Sequence, residues 1–241
     1  MRLQCFLAAD EPLAPIPWEY PFALTAWVYR VLNQADPQWG DRAHAVGTPR
    51  TAIRPFAVSW LRFPMAPAAT PAGLRPASPL ADFLLGTYDP DLARAIEVMG
   101  PGEPLVLGAN RYQVLAALPI PGDAMRGPWR CLSPVVVSCR ENGRRRFLAP
   151  DDPAFWRLAA QNLAHKAQQF HGVTVDPAAI QITATGTPRR KRVVIHGHPI
   201  VGWQWDGSVM VEAPEPVVDV VGTLGLGVYN SNGFGALASA V

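Results

Sequence analysis

The sequence predicts an α+β fold in two domains, the first with the βαββαβ order of a ferredoxin-like fold. Three observations lead there. Strand-forming and helix-patterned stretches alternate in that order through residues 1–122. A Pro/Gly stretch from Pro119 to Gly127 then separates residues 1–122 from residues 128–241. Hydrophobic residues make up 49% of 241, enough for a core in each half.

In order, Met1 to Ala9 is a short apolar run that ends at Asp10-Glu11-Pro12, and it reads as a buried first strand. Pro21 to Gln34 is a helix without glycine that stops before Asp36-Pro37. Its Leu24, Trp27, Val28 and Val31 recur at i, i+3, i+4, i+7 and should face a sheet, with Phe22, Ala26 and Tyr29 as a second row. A shorter helical piece, Gln38 to Ala45, leads to Gly47. Ala52 to Phe63 and Leu80 to Tyr88 are strands, and the proline-dense stretch between them, Pro64 to Pro79, is a stiff extended connection. Asp89-Pro90-Asp91 starts a helix through Leu92 to Met99, and Arg111 to Leu118 closes the first domain.

The second half opens on Leu132 to Cys139, read as a strand, then a hairpin with Asn142-Gly143 at its tip and Arg144-Arg145-Arg146 beginning the return. Asp151-Asp152-Pro153 opens the longest helix, Ala154 to Gln169, closed by Gly172. Strands are expected at Ile180–Thr185, Arg192–His196, Ile200–Trp205 and Ser208–Glu212. Val217 to Val221, a glycine segment and a terminal strand, Gly235 to Val241, complete the chain. No repeat is visible by identity between the halves.

The net charge of +2 is too small for a bulk electrostatic argument, so any nucleic-acid surface must be local. Cys5, Cys131 and Cys139 have no C-x-x-C spacing, which argues against a disulfide framework and a zinc site. With no signal pattern and no apolar run of about 18 residues, the expectation is a reduced cytoplasmic protein without a membrane partner. No cofactor is expected.

The glycine segment, Gly222 to Gly235, reads GTLGLGVYNSNGFG, with five glycines in fourteen residues. Such density marks a contorted loop or a surface where a ligand meets main-chain N–H groups. It is not a dinucleotide fingerprint, because Asn230 stands where a third glycine would be needed and no helix can follow. Basic residues gather in two clusters of four, Arg140, Arg144, Arg145 and Arg146 around the hairpin and the run Arg189, Arg190, Lys191 and Arg192, out of 21 in the chain. Two such clusters in one half favour a phosphate-contacting surface over solvated turns. His44 sits at a helix end, with Arg42, Arg50 and Arg54 near in sequence, and its side chain suits proton transfer at neutral pH. His196 and His198 have no third ligand nearby, and Asp151-Asp152 and Asp89/Asp91 suit helix caps, so neither a metal site nor a metal-dependent nuclease is expected.

The glycine segment, of the form G-h-G-x5-G-F-G from Gly225, resembles the C-terminal glycine-rich loop of CRISPR-associated endoribonucleases that cut precursor CRISPR RNA within its repeats. His44 followed by Arg50 and Pro55-Phe56 through Ser59 resembles that family's histidine, basic residue and "pro-phe-x-x-ser" strand. Tyr29 matches a tyrosine that some members place beside the histidine, whereas Arg50 stands where those members more often have lysine. LSPVVVS and Asn162-Leu163 with Lys166 resemble a further strand and helix of the family, so the likeness runs through residues 22–63, 131–172 and 198–238.

The resemblance implies two tandem ferredoxin-like domains and metal-independent cleavage of repeat RNA. In that chemistry the ribose 2′-hydroxyl attacks the adjacent phosphate, leaving 2′,3′-cyclic phosphate and 5′-hydroxyl ends. His44 would be general acid or base and Tyr29 a positioning donor. Arg50 would be a charge stabiliser, since arginine does not give up its proton. The two basic clusters and Gly225, Gly227, Asn230, Ser231, Gly233 and Gly235 would hold RNA. Repeat or guide RNA and other subunits of a CRISPR effector complex are the expected partners. A repeat-binding subunit that does not cut, or a backbone subunit of such a complex, is the alternative.

Overall fold

The computed structural model describes residues 1–38, 53–121, 127–195 and 197–240. The expected helical piece Gln38–Ala45 lies outside them except for its first residue, as do His44, Gly47, Arg50 and His196. The chain divides into two compact units, Met1–Ile120 and Pro121–Val241.

The first unit contains β1 (Arg2–Ala9), α1 (Tyr20–Ala35), β2 (Phe56–Val58), β3 (Ala68–Thr70), β4 (Gly73–Arg75), β5 (Leu80–Thr87), α2 (Pro90–Met99), β6 (Leu105–Leu107) and β7 (Asn110–Pro119). Its main sheet is antiparallel, in the order β2-β5-β1-β7-β6. Without the edge strand β6 this is the ferredoxin-like order, with a helix after the first and third strands. The expected apolar stripe of α1 is buried throughout, at Leu24, Trp27, Val28 and Val31, while Ala26 of the second row is exposed. Trp27 packs edge-on against Phe83 of β5, ring centroids 5.9 Å apart, and its Nε1 donates to the Glu103 carbonyl. Truncating such a side chain to alanine costs about 3–5 kcal/mol. The helix α2 starts where Asp89 accepts from the amides of Asp91 and Leu92, with Pro90 at its first position.

Two connections differ from expectation. Only Phe56–Val58 of the stretch Ala52–Phe63 is a ladder strand, because Ser59 Oγ takes the Leu84 amide and diverts the pairing. Arg62 then rejoins β5 through paired backbone bonds and an ion pair with Asp82. The proline-dense stretch is not simply extended: β3 and β4 pair within it, and Leu74 bridges Ile16. There, Gly73 has φ +140° and a Cβ would meet the Ile16 carbonyl oxygen at 1.9 Å, so the chain turns where only glycine fits.

The second unit contains β8 (Trp129–Cys131), β9 (Ser138–Glu141), β10 (Arg144–Phe147), α3 (Ala154–His171), β11 (Gln181–Ala184), β12 (Pro188–Ile195), β13 (His198–Trp205), β14 (Ser208–Glu212), α4 (Glu215–Leu224) and β15 (Leu237–Ser239). An antiparallel sheet runs β11-β14-β8-β15, with α3 after its first strand in sequence and α4 after its third. The fold is α+β, with two tandem ferredoxin-like units. Two ribbons, β9–β10 and β12–β13, are inserted into the second. The helix α3 buries Phe155, Ala159, Leu163, Lys166 and Ala167 on one stripe and ends at Gly172, whose φ of 68° is a left-handed cap.

Leu132–Cys139 is not one strand. Leu132 and Ser133 amides turn to the Ala236 carbonyl, Val135 bridges Trp203, and only from Ser138 does β9 begin. The run is apolar because it is covered on both sides, and burial of that kind does not require a continuous ladder. Val217–Val221 lies inside α4. Among the described residues no helix is long and apolar enough to cross a membrane.

Candidate nucleic-acid interface

Hairpin β9–β10 turns on Asn142 and Gly143, with φ of 50° and 76°; two consecutive left-handed residues match the strand twist. Its register places Arg145 opposite Arg140 and Arg144 opposite Glu141. Strand alternation therefore puts Arg140 and Arg145 on one face and Arg144 and Arg146 on the other. Arg146 is engaged by Asp152 at 2.8 Å and Glu141 at 3.6 Å. Asp152 also accepts from the Ala154 amide at the start of α3, so this carboxylate is a helix-start residue as expected.

The run Arg189–Arg192 lies within β12, paired along its length with β13 from Arg189↔Gln204 to Arg192↔Val201. It is strand and not turn. Val193 and Ile195 face inward on the same side as Lys191, leaving Arg190 and Arg192 exposed on the other. Arg189 pairs with Asp206 at 3.3 Å, and that carboxylate, which also accepts from the Thr187 amide, is held below the usual range chiefly by that backbone bond. Of the eight clustered basic residues, Arg140, Arg144, Arg145, Arg190, Lys191 and Arg192 have no carboxylate partner among the described residues.

The glycine segment follows α4 as a tightly wound loop. Gly225, Gly227, Gly233 and Gly235 all have φ between 71° and 88°, and all four are buried. A Cβ on Gly235 would meet the Leu226 carbonyl oxygen at 1.8 Å, and one on Gly225 would meet the Gly235 oxygen at 2.1 Å. The glycines are thus required by close backbone approach. Leu226 N donates to Gly235 O, Gly235 N to Pro134 O, and Val228 N to Val136 O. Asn230, also buried, spans the loop by donating from Nδ2 to the carbonyls of Leu226 and Phe234. Ser133 Oγ accepts from the Ala236 amide.

Lys166 completes this scaffold. It is buried on α3, and its ammonium donates to the carbonyls of Gly225 and Gly227, 3.0 Å each. Burial lowers its pKa to about 7. What the loop presents outward is Val228, Tyr229, Ser231 and Asn232, each half-exposed. Tyr229 has φ 64°, and the Arg145 guanidinium lies over its ring, 5.2 Å from the centroid.

In the first unit, Tyr29 is half-buried on α1 with its ring edge-on to Phe56 at 5.6 Å. Burial raises its pKa, opposed by the charge of Arg54. Its expected companions His44 and Arg50 lie outside the described residues. His198 opens β13 and is exposed. Sequence reasoning passed over Tyr229 and gave Lys166 only a family likeness. The signal for Tyr229 was there, since it is the one aromatic inside the glycine spacing that is not followed by glycine.

Residues 123–238 match the family model described as CRISPR associated protein Cas6, C-terminal. Among curated proteins none matches the chain. Solved structures similar to it include a Cas6-related protein from Pyrococcus furiosus, 16% identical, with TM-score 0.80 over 98% of this chain and 97% of that one. A RAMP protein described as binding different RNA substrates is 18% identical, with TM-score 0.82 over 99% and 98%. A CRISPR associated protein Cas6 is 20% identical, with TM-score 0.73 over 100% and 99%. Residues 123–238 thus carry the Cas6 C-terminal domain, and the chain shares its fold with these structures from end to end.

Proposed function

We propose that this protein binds CRISPR repeat RNA and cuts it without a metal ion, then remains on the mature guide RNA and passes it to other subunits of an effector complex. The observation that carries the RNA reading is the Cas6 C-terminal domain, whose inserted ribbons hold six cations free of carboxylate partners among the described residues. Arg140, Arg144, Arg145, Arg190, Lys191 and Arg192 would contact phosphates. The buried glycines and Asn230 would act by shaping the loop, with Ser231 on its outer side.

For cleavage, the ribose 2′-oxygen attacks the neighbouring phosphorus and the 5′-oxygen leaves. A proton must come off the first oxygen or be delivered to the second, and the phosphorane needs positive charge beside it. His44 is the proton carrier in this reading and Arg50 the charge. Tyr29, whose pKa burial raises, stays protonated at neutral pH and serves as a hydrogen-bond donor. Asp89 and Asp152 are engaged by backbone amides at helix starts, consistent with a route that uses no carboxylate pair.

Incubating the protein with repeat RNA in excess EDTA tests the reading. Products with 2′,3′-cyclic phosphate ends are expected, and His44→Ala should slow cutting by about 100-fold or more while leaving binding intact. A His44→Ala protein that cuts at the native rate removes His44 from the mechanism. Intact RNA retained by the wild-type protein favours the second reading, a repeat-binding subunit that does not cut. The RAMP protein described as binding RNA has the same fold.

A further inference from the structure

We propose that Tyr229 and Arg145 together form a stacking platform for one unpaired base of the bound RNA, an inference that rests on the RNA-binding reading above. Tyr229 occupies a left-handed backbone position, φ 64°, in a loop whose other left-handed positions at 225, 227, 233 and 235 are all glycine. A bulky side chain is disfavoured there. Its backbone is fixed on both sides: Val228 N donates to Val136 O, and Tyr229 O accepts from Asn232 N and Phe234 N. This anchoring holds the ring out of the core, half-exposed, with Phe234 edge-on behind it at 6.4 Å.

Arg145 reaches the same ring from the hairpin. It is exposed and has no carboxylate partner among the described residues. Its cross-strand neighbour on the same face is Arg140, equally free of one. The result is an aromatic ring, a planar guanidinium over it and a second cation alongside. A ring and a guanidinium are the two side-chain planes on which nucleobases stack, and the adjacent cation suits the phosphate of the same nucleotide.

The test uses repeat RNA carrying a single 2-aminopurine at successive unpaired positions, titrated with the full-length protein. One position should be quenched on binding. Tyr229→Asn keeps a residue that tolerates the left-handed backbone and removes the ring. It should abolish that quenching and weaken binding about 10-fold to 100-fold, with an unchanged melting temperature. Tyr229→Phe should keep both, and Arg145→Gln should reduce quenching at the same position. Wild-type affinity and quenching in Tyr229→Asn would overturn the platform while leaving RNA binding standing. A wild-type protein that ignores repeat RNA, yet binds a uridine oligonucleotide through Tyr229, would keep the platform and sink the repeat reading. Binding to neither RNA sinks both.

Discussion

With the extra strands set aside, the first unit's sheet runs β2-β5-β1-β7 and the second's β11-β14-β8-β15, the same order with helices at the same two places. The units differ in what is inserted. Between first strand and first helix, the first unit has a plain connection and the second has the β9–β10 hairpin. Between second and third strands the first has the short β3–β4 pair and the second the long β12–β13 ribbon. Between second helix and last strand, the first makes the β6 edge strand and the second winds the glycine loop. All eight clustered basic residues lie in the second unit's insertions or at their margins. The two units therefore share one framework, while the clustered charge lies in the segments added to it in the second.

The sharpest way to break that contrast is to put a methyl group on the corresponding glycines. Gly102 and Gly235 both follow the second helix of their unit and both have positive φ, +97° and +71°. Among the described residues nothing lies within 4 Å of a Cβ on Gly102, whereas one on Gly235 meets the Leu226 oxygen at 1.8 Å and Asn230 Nδ2 at 2.7 Å. Gly235→Ala should cost at least about 3 kcal/mol in denaturant unfolding, and Gly102→Ala about 1 kcal/mol, the backbone penalty alone. Equal losses would mean that the loop repacks and is not the rigid feature described.

Lys166 gives the next effect. Lys166→Met keeps the stem but leaves the Gly225 and Gly227 carbonyls without their donor, a loss of about 2 kcal/mol at pH 8.5. The pH dependence follows from the lowered pKa of about 7. Between that value and the ordinary lysine value the unfolded chain holds a proton the folded chain has given up, so stability rises with pH across this window and is flat below it. The wild-type protein should gain stability from pH 7 to 8.5 relative to Lys166→Met. Parallel curves would show that the amine keeps its proton in the fold.

Much of the framework was legible. The α1 stripe, the Asn142-Gly143 turn and the Asp89 cap each follow from local rules that tertiary contacts did not override. Other features depend on distant partners. Leu132–Cys139 reads as one strand because burial against both β13 and the glycine loop gives the same continuous apolar pattern as a ladder. The strand character of Arg189–Lys191 was hidden by charge, since its inward faces are set by pairing with β13. The loop announced itself by glycine count, but its spacing could not say that Asn230 and Lys166 turn inward while Tyr229 turns out. The expected catalytic histidine remains a proposal from sequence, outside the described residues.

The smallest expected effect separates members of one basic cluster. Arg144 and Arg146 share a hairpin face, but among the described residues only Arg146 is held by carboxylates, at 2.8 Å and 3.6 Å. Replacing either by glutamine removes one positive charge from the same face, so the long-range attraction for RNA falls about equally. The salt dependence should not. A phosphate contact releases a counterion, and losing one lowers the slope of log affinity against log salt by about 0.7 for a single strand. Arg144→Gln should show that drop. Arg146→Gln should leave the slope near wild-type and cost under about 1 kcal/mol of stability, the usual worth of an exposed ion pair. If Arg146→Gln flattens the slope as much as Arg144→Gln does, the carboxylates release their arginine when RNA arrives, and both residues contact phosphate in the complex.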